Sequence, residues 1–269
     1  MERLAIDVDD RPVGRILTRR EILALLGGSA LVAACAPNAL GSPSATAAAT
    51  QAAATTAAAT AAGSAAAVLP SCVVRPALTE GPYFVDEKLN RSDIRSDPAT
   101  SAVKPGVTLA LTFLVSKVSG TSCAALANAT VDVWHCDALG VYSDATDPSF
   151  GSTKGTKFLR GYQTTDATGT AKFTTIWPGW YQGRAVHIHF KIRADAQASV
   201  THEFTSQLFF DDTLSRQVYA QAPYAAKGLP TMTNADDGIF QGGGDQLLLD
   251  VKANDSGYAA TFDIGLQTA

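Results

Sequence analysis

Several patterns are scarce or missing in this sequence, and their scarcity narrows the functions open to it. The 21 basic and 25 acidic side chains leave a formal net charge of only -4, which gives no electrostatic reason to expect a nucleic-acid partner. The four cysteines form no Cys-x-x-Cys pair, which argues against a zinc–thiolate site. No nicotinamide or flavin fingerprint and no internal repeat occurs. The sequence therefore points away from nucleic-acid binding, zinc–thiolate sites and nucleotide-cofactor chemistry.

A membrane-spanning run is also missing, and the short apolar run near the beginning has another interpretation. The run Ile22–Ala34 is shorter than the roughly 20 residues that span a bilayer. The basic pair Arg19 and Arg20 directly precedes it, and the arrangement resembles a twin-arginine export signal. The run ends in "LVAAC", which resembles a bacterial lipoprotein box that would leave Cys35 as a lipidated first residue, whereas simple cleavage near "AACA" is the alternative. We therefore expect residues 1–35 to direct export of a periplasmic or cell-surface lipoprotein, or of a secreted protein.

Composition changes sharply after this signal. Residues 36–68 are nearly all Ala, Thr, Ser and Gly, carry no charge and have no apolar stripe to bury. A flexible tether of this length has a root-mean-square span on the order of 30 Å. The sequence therefore predicts a tether over 36–68 and one folded domain over 69–269.

The folded domain has the alternating pattern of β-strands. In "VTLALTFLV", for example, Leu109, Leu111, Phe113 and Val115 share one face. The same period recurs, between turn signals, in "TVDVWHC", "AVHIHFKI", "FTSQLFF", "DQLLLDVK" and "YAATFDIGL". One short helix is expected around residues 214–226. These features predict an all-β fold, a β-sandwich of mostly antiparallel strands with at most a short helix.

Three cysteines follow Cys35, namely Cys72, Cys123 and Cys136. An odd number in an exported chain favours one disulfide and one free thiol. We expect Cys72 to pair with Cys123, because that bond would tie the start of the domain to the start of a strand, although spacing leaves the other pairings open.

The segment "AVHIHFKI" contains two candidate metal ligands. Because alternate residues of a strand share a face, His187 and His189 project together, away from Ile188 and Phe190. Two imidazoles on one face of a rigid strand can chelate a metal. The plain alternative is a solvent-facing strand with two incidental histidines.

Further metal ligands must come from other residue types, since acidic residues near this strand are few. Tyrosines are close in sequence: Tyr181 in "PGWYQGR" and Tyr142 in "DALGVYSDA". A phenol has a pKa near 10 and is normally neutral, but a hard trivalent cation stabilises the phenolate. Two histidines with two phenolates would suit Fe(III), while each tyrosine taken singly fits a half-buried loop position equally well.

Four segments together resemble the intradiol ring-cleavage dioxygenases, in particular the exported, single-domain branch related to protocatechuate 3,4-dioxygenase. They are "TEGPYFVDEKLNRSDIR", "ATVDVWHCDALGVYS", "FLRGYQTTDATGTAKFTTIWPGWYQGRAVHIHFKI" and "TSQLFF". The resemblance covers nearly all of Ser71–Phe210 in family order, and it implies a β-sandwich whose long loops carry the active site.

The resemblance implies one Fe(III) per chain with four ligands. Tyr142 in "GVYS" matches the first tyrosinate ligand, and Tyr181 in "PGWY" matches the second, which leaves the iron when substrate binds. His187 and His189 match the two histidine ligands. Tyr181 therefore counts as both a metal ligand and a catalytic residue.

The resemblance also implies residues that contact the substrate. Arg184 matches the arginine beside the substrate ring, and Gln207 in "SQLFF" matches the glutamine near the reacting carbons. Pro82 and Tyr83 lie in a segment that resembles the wall of the substrate pocket. Fewer residues separate Tyr181 from His187 than in the cytoplasmic enzymes, so the pocket contacts of those enzymes cannot be transferred.

By this resemblance the protein is a dioxygenase that uses O2 to open a catechol-type ring between its two hydroxylated carbons, giving a muconate-type diacid. The alternative function is an exported, cell-surface β-sandwich that binds aromatic or carbohydrate ligands without catalysis. The sequence leaves the particular catechol and the oligomeric state open.

Overall fold

The computed structural model describes residues 73–196 and 200–267. The predicted export signal and tether, and with them Cys35, lie outside these residues. Eleven strands and one α-helix form within them. The strands are β1 (Thr108–Ser119), β2 (Ser122–Ala125), β3 (Thr130–Trp134), β4 (Thr146–Asp147), β5 (Gly151–Ser152), β6 (Arg160–Thr164), β7 (Thr170–Ile176), β8 (His187–Ala196), β9 (Val200–Phe209), β10 (Val251–Asn254) and β11 (Gly257–Gln267).

The first of two larger sheets is built around β1. Strand β11 pairs with β1 in parallel and carries β10 on its outer edge. The other pairings of β1, with β7 along its first part and β2 along its last, are antiparallel. The predicted alternation in β1 is confirmed, because Leu109, Leu111, Phe113 and Val115 are all buried.

The second larger sheet carries the histidines. Its strand order is β6–β3–β8–β9, and every pairing is antiparallel. Strands β4 and β5 pair with each other in an antiparallel hairpin, which forms a separate two-stranded sheet. The all-β sandwich of mostly antiparallel strands predicted from the sequence is therefore confirmed.

Aromatic rings fill the space between the two larger sheets. The ring of Phe113 on β1 lies 5.3 Å, centroid to centroid, from Phe190 on β8 and 6.0 Å from Phe262 on β11. The Phe190 and Phe262 rings are 5.6 Å apart. Since Phe190 faces this core, its neighbours His187 and His189 project from the opposite face of the second sheet, as the strand period predicts.

The predicted short helix is present but shorter than expected. The α-helix, α1, spans Asp212–Tyr219, and the side chain of Asp211 caps it by accepting from the Leu214 amide at 2.8 Å. A separate 3-10 turn follows at Tyr224–Ala226. Pro223 separates the two pieces, and a proline disfavours helical backbone at the residue before it.

The strand predicted in "DQLLLDVK" is largely wrong. Gly244–Leu247 forms a 3-10 turn, and β10 begins only at Val251. Gly243, directly before the turn, has a left-handed φ of 119° that breaks an extended chain. Alternation of buried and exposed leucines was therefore not enough to specify a strand here.

The cysteines match the prediction of one disulfide and one free thiol. Cys123 is disulfide-bonded, and Cys136 is free and buried. The pairing of Cys123 with Cys72 stays a prediction, because Cys72 lies outside the described residues. In the part of the chain that the structure describes, no helix is long and apolar enough to cross a membrane.

Candidate metal centre and substrate site

The outer face of the second sheet carries a row of three side chains in register. Trp134 on β3 pairs with His189 on β8, and His189 pairs with Gln207 on β9. Cross-strand partners share a face, so these side chains point to the same side of the sheet. His187 and His189 are each only 3% exposed, because loops cover this face. The alternative of a solvent-facing strand with incidental histidines is therefore wrong.

Three of the four predicted metal ligands converge at this face. The Oη of Tyr142 lies 3.2 Å from the Nε2 of His187, which lies 3.0 Å from the Nε2 of His189. The Nδ1 of His187 is 2.7 Å from the carbonyl of Ala185. A carbonyl can only accept, so Nδ1 carries the proton and Nε2 keeps a free lone pair. This tautomer is the one that a metal ligand bound through Nε2 requires.

His189 is tightly confined. Its ring stacks on Trp134 with centroids 5.0 Å apart and an interplanar angle of 7°. On another side lies Gly81, where an added Cβ would sit 3.1 Å from the Cε1 of His189 and where φ is +72°. The Nδ1 of His189 is buried without a hydrogen-bond partner among the described residues. Its ring is therefore held by packing, with Nε2 aimed at His187.

Burial sets the charge state of these ligands. It lowers the pKa of His187 and of His189, and the positive charge of Arg184 lowers both further. Both imidazoles are therefore neutral, as metal ligands must be. Burial also raises the pKa of Tyr142 well above its ordinary value. The phenol of Tyr142 thus requires a strong cation in order to ionise.

Tyr181, the fourth predicted ligand, lies beside the others, but its hydroxyl is bound elsewhere. Its ring centroid is 5.6 Å from that of Tyr142. Its Oη lies 2.8 Å from Oδ2 of Asp147 and 2.7 Å from Oη of Tyr83. Ligation by Tyr181 would require its hydroxyl to leave this cluster.

Asp147, on β4, is the carboxylate at the centre of that cluster. Tyr83 also donates to it, so two hydroxyls share one carboxylate oxygen. Burial alone would raise the pKa of Asp147, but hydrogen bonds from Ser149, Tyr83 and Tyr181 hold it well below its usual range. Asp147 is therefore an ionised acceptor beside the site.

The predicted substrate residues Arg184 and Gln207 contact each other. The Nη2 of Arg184 donates to Oε1 of Gln207 at 2.6 Å, and Nε2 of Gln207 donates to the carbonyl of Thr79 at 2.9 Å. The Nε of Arg184 donates to Oδ2 of Asp237 at 3.0 Å. Burial opposes ionisation of Asp237, yet the charge of Arg184 and backbone amides keep its pKa below the ordinary value.

The two predicted pocket residues differ in their position. Tyr83 is buried and stacks on Tyr142 with ring centroids 4.5 Å apart. Pro82 is exposed, in the turn between Gly81 and Tyr83. The loop thus borders the site mainly through Gly81 and Tyr83.

Sequence reasoning missed Asp147, Asp237 and Trp134. The expectation that few carboxylates lie near the histidine strand holds along the chain but is wrong in space, because segments distant in sequence supply both aspartates. A pattern signal existed only for Trp134, which alternates with Val133 on a predicted strand. Among the described residues, no group of three or more His, Cys, Asp or Glu side chains can hold a metal. The oxygen atom that lies beside His187 Nε2 is instead the Oη of Tyr142.

Comparison with known proteins gives consistent matches. A family model described as a dioxygenase, Dioxygenase_C, matches residues 79–267. The intradiol ring-cleavage dioxygenase from Tetranychus urticae is 28% identical with a TM-score of 0.62, over 73% of this chain and 95% of that chain. The dioxygenase domain of a dioxygenase carbohydrate-binding protein fusion from Streptomyces sp. SirexAA-E is also 28% identical, with a TM-score of 0.50, over 73% of this chain and 100% of that one.

A curated relative matches over a shorter stretch. Catechol 1,2-dioxygenase 2 from Acinetobacter lwoffii is 32% identical over 147 residues, which cover 47% of this chain and 49% of that protein. The chain therefore spans about half the length of this relative.

Proposed function

Because the chain belongs to the family of intradiol ring-cleavage dioxygenases, we propose that it opens a catechol-type ring between its two hydroxylated carbons. Dioxygen is the second substrate, and a muconate-type diacid is the product. The observation that carries this proposal is the convergence of Tyr142 Oη, His187 Nε2 and His189 Nε2 on one buried face. This donor set matches the chemistry of ferric iron better than that of zinc.

We propose that one Fe(III) per chain is held by Tyr142, Tyr181, His187 and His189. Two neutral imidazoles supply lone pairs, and buried phenols supply hard anionic oxygens once a trivalent cation offsets the cost of ionising them. Fe(III) held there would supply Lewis-acid chemistry that activates a catechol towards dioxygen. Tyr181 contributes only after its hydroxyl leaves Asp147 and Tyr83.

Arg184 and Gln207 act on the substrate in this proposal. A catechol that loses its phenolic protons becomes an anion, and a guanidinium fixed beside it stabilises that charge. The hydrogen bond between Nη2 of Arg184 and Oε1 of Gln207 holds the guanidinium plane in place before the substrate arrives. Preorganisation of this kind means that little reorganisation is needed during the reaction.

Tyr181 and Asp147 offer a place for a substrate proton. The ionised Asp147 already accepts a hydrogen bond from Tyr181 at 2.8 Å, and Tyr83 lies within 2.7 Å of the same hydroxyl. If the phenolate of Tyr181 takes a proton from the substrate, the resulting hydroxyl can again hydrogen-bond to Asp147 and Tyr83. Tyr181 thus acts as a general base in addition to its role as a ligand.

We propose export for this enzyme through the twin-arginine pair Arg19 and Arg20, with lipid attachment at Cys35. The chargeless tether over 36–68 supports this, because it would hold the domain away from a membrane surface. Native protein should then partition with membranes, and Cys35→Ser should release it or block its processing. A mature N-terminus beyond Cys35, found by mass spectrometry, would exclude the lipid.

The proposed activity is tested with full-length protein, loaded with iron and assayed for oxygen uptake on a panel of catechols. The panel contains unsubstituted catechol, hydroxyquinol, protocatechuate and larger plant phenolics, so that it also identifies the substrate. Uptake that depends on both iron and a catechol is the expected result. Tight binding of an aromatic without oxygen uptake would favour the non-catalytic binding module.

A further inference from the structure

Asp237 is a buried carboxylate that connects two distant segments near the site. Its Oδ2 accepts from Nε of Arg184 at 3.0 Å and from the amide of Ala185 at 2.8 Å. Its Oδ1 accepts from the amides of Ile239 and Phe240 at 2.7 and 3.3 Å. The side chain is only 2% exposed. One carboxylate therefore fixes its own loop with one oxygen and the segment that leads into β8 with the other.

The guanidinium of Arg184 is consequently held on two sides. Nε binds Asp237, and Nη2 binds Gln207, which is itself held by the carbonyl of Thr79. Nη1 has no hydrogen-bond partner within the described part of the chain. The planar fork of arginine leaves little freedom once Nε and Nη2 are fixed, so the direction of Nη1 is set as well.

Arg184 lies beside the candidate metal centre, because Gln207, to which its Nη2 donates, is the cross-strand partner of His189. Its positive charge is among the causes that lower the pKa of His187 and of His189. The Arg184 side chain is half-buried, with 17% of its surface exposed, and the buried carboxylate of Asp237 is its charged partner. The ion pair thus allows a cation to stay beside the site in a fixed orientation.

We propose that Asp237 is the positioning residue for Arg184: together with Gln207 it forms a cradle that accepts a guanidinium and aims it at the substrate anion. The predicted effect of Asp237 on turnover rests on the proposed function. Binding of a guanidinium group by Asp237 and Gln207 does not depend on it. The competing role for Asp237 is a local one, in which its Oδ1 merely stabilises the turn at Ile239 and Phe240.

The experiment replaces the arginine side chain with a free ion. Arg184→Ala should lower kcat/KM by roughly 10²–10³, the usual effect of losing one preorganised donor. Guanidinium chloride at low, non-denaturing concentration should restore activity on the order of tenfold, because the cradle of Asp237 and Gln207 remains. Sodium chloride at equal ionic strength should restore nothing.

The double variant Arg184→Ala/Asp237→Asn decides between the two roles. Loss of the carboxylate charge should abolish restoration by guanidinium while the protein still binds iron. The matched control is Asp236→Asn combined with Arg184→Ala, since Asp236 is the exposed neighbour on the same loop. This control should keep full restoration. Equal restoration with and without the carboxylate of Asp237 would overturn the inference.

A second measurement does not depend on turnover. Isothermal titration calorimetry of full-length Arg184→Ala with guanidinium chloride should detect binding that Arg184→Ala/Asp237→Asn lacks. If no catechol is consumed but this binding is present, the proposed function fails and the cradle stands. Absence of guanidinium binding to Arg184→Ala overturns the cradle, even where Asp237→Asn proves too unstable to study.

Discussion

Gly81 offers a test of how closely the loop before Tyr83 controls the metal site. Its φ is +72°, and an added Cβ would lie 3.1 Å from Cε1 and 3.7 Å from Nε2 of His189. His189 cannot withdraw easily, because its other side is stacked on Trp134 at 5.0 Å. The change Gly81→Ala therefore adds one methyl group directly against a proposed ligand.

Two costs are expected for Gly81→Ala. A non-glycine residue in left-handed backbone costs about 1–2 kcal/mol. The close contact with His189 adds to this strain and displaces Nε2 from its place beside His187. We expect the free energy of unfolding to fall by about 1–2 kcal/mol from strain alone, which lowers Tm by about 2–4 °C per kcal/mol in a domain of this size. Iron affinity should fall as well.

Gly120→Ala is the matched control. Gly120 also has a positive φ, of +57°, but an added Cβ there would meet nothing within 4 Å. Both variants should lose stability in denaturant unfolding, whereas only Gly81→Ala should bind iron more weakly in a titration followed by visible absorbance. If the two variants bind iron equally well, then packing of Gly81 against His189 does not control the site.

Three further predictions concern the site and the core. His187→Ala should lose bound iron and activity together, because its Nε2 is the atom that both Tyr142 and His189 approach; iron analysis and oxygen uptake check this, and retained iron would contradict it. Tyr181→Phe should keep part of its iron but turn over slowly, since the proposed general base is lost while the other proposed ligands remain; an unchanged kcat would refute that role. Phe113→Ala should lower the free energy of unfolding by about 3–5 kcal/mol, as expected for a fully buried aromatic, with thermal unfolding as the measurement and a loss below about 1 kcal/mol as the contrary result.

The strands and the histidine face were predictable because they depend on local alternation. In β1 and β8, apolar side chains recur every second residue and face the core, which leaves His187 and His189 together on the other side. The same rule failed at Leu247–Leu249, where a glycine with left-handed backbone turns the chain before the leucines. Alternation by itself does not exclude a turn.

The supporting carboxylates could not be predicted for a physical reason. Asp237 is far from Arg184 in sequence, and only the packing of the loop after α1 brings them to 3.0 Å. Asp147 reaches Tyr181 because the β4–β5 hairpin lies beside the site. Neither residue stands in a periodic segment, and each interaction depends on how segments distant in sequence pack together. The position of the Tyr181 hydroxyl depends on its contacts with Asp147 and Tyr83, so it could not be predicted from the sequence either.

Cleavage between the two hydroxylated carbons is tested by identifying the product. Iron-loaded protein is incubated with an active catechol under isotopically labelled dioxygen, and the product is analysed by mass spectrometry and NMR. We predict a muconate-type diacid that has gained both atoms of one labelled dioxygen molecule. A semialdehyde, formed when the ring breaks beside the diol, would contradict the assignment even if iron were bound.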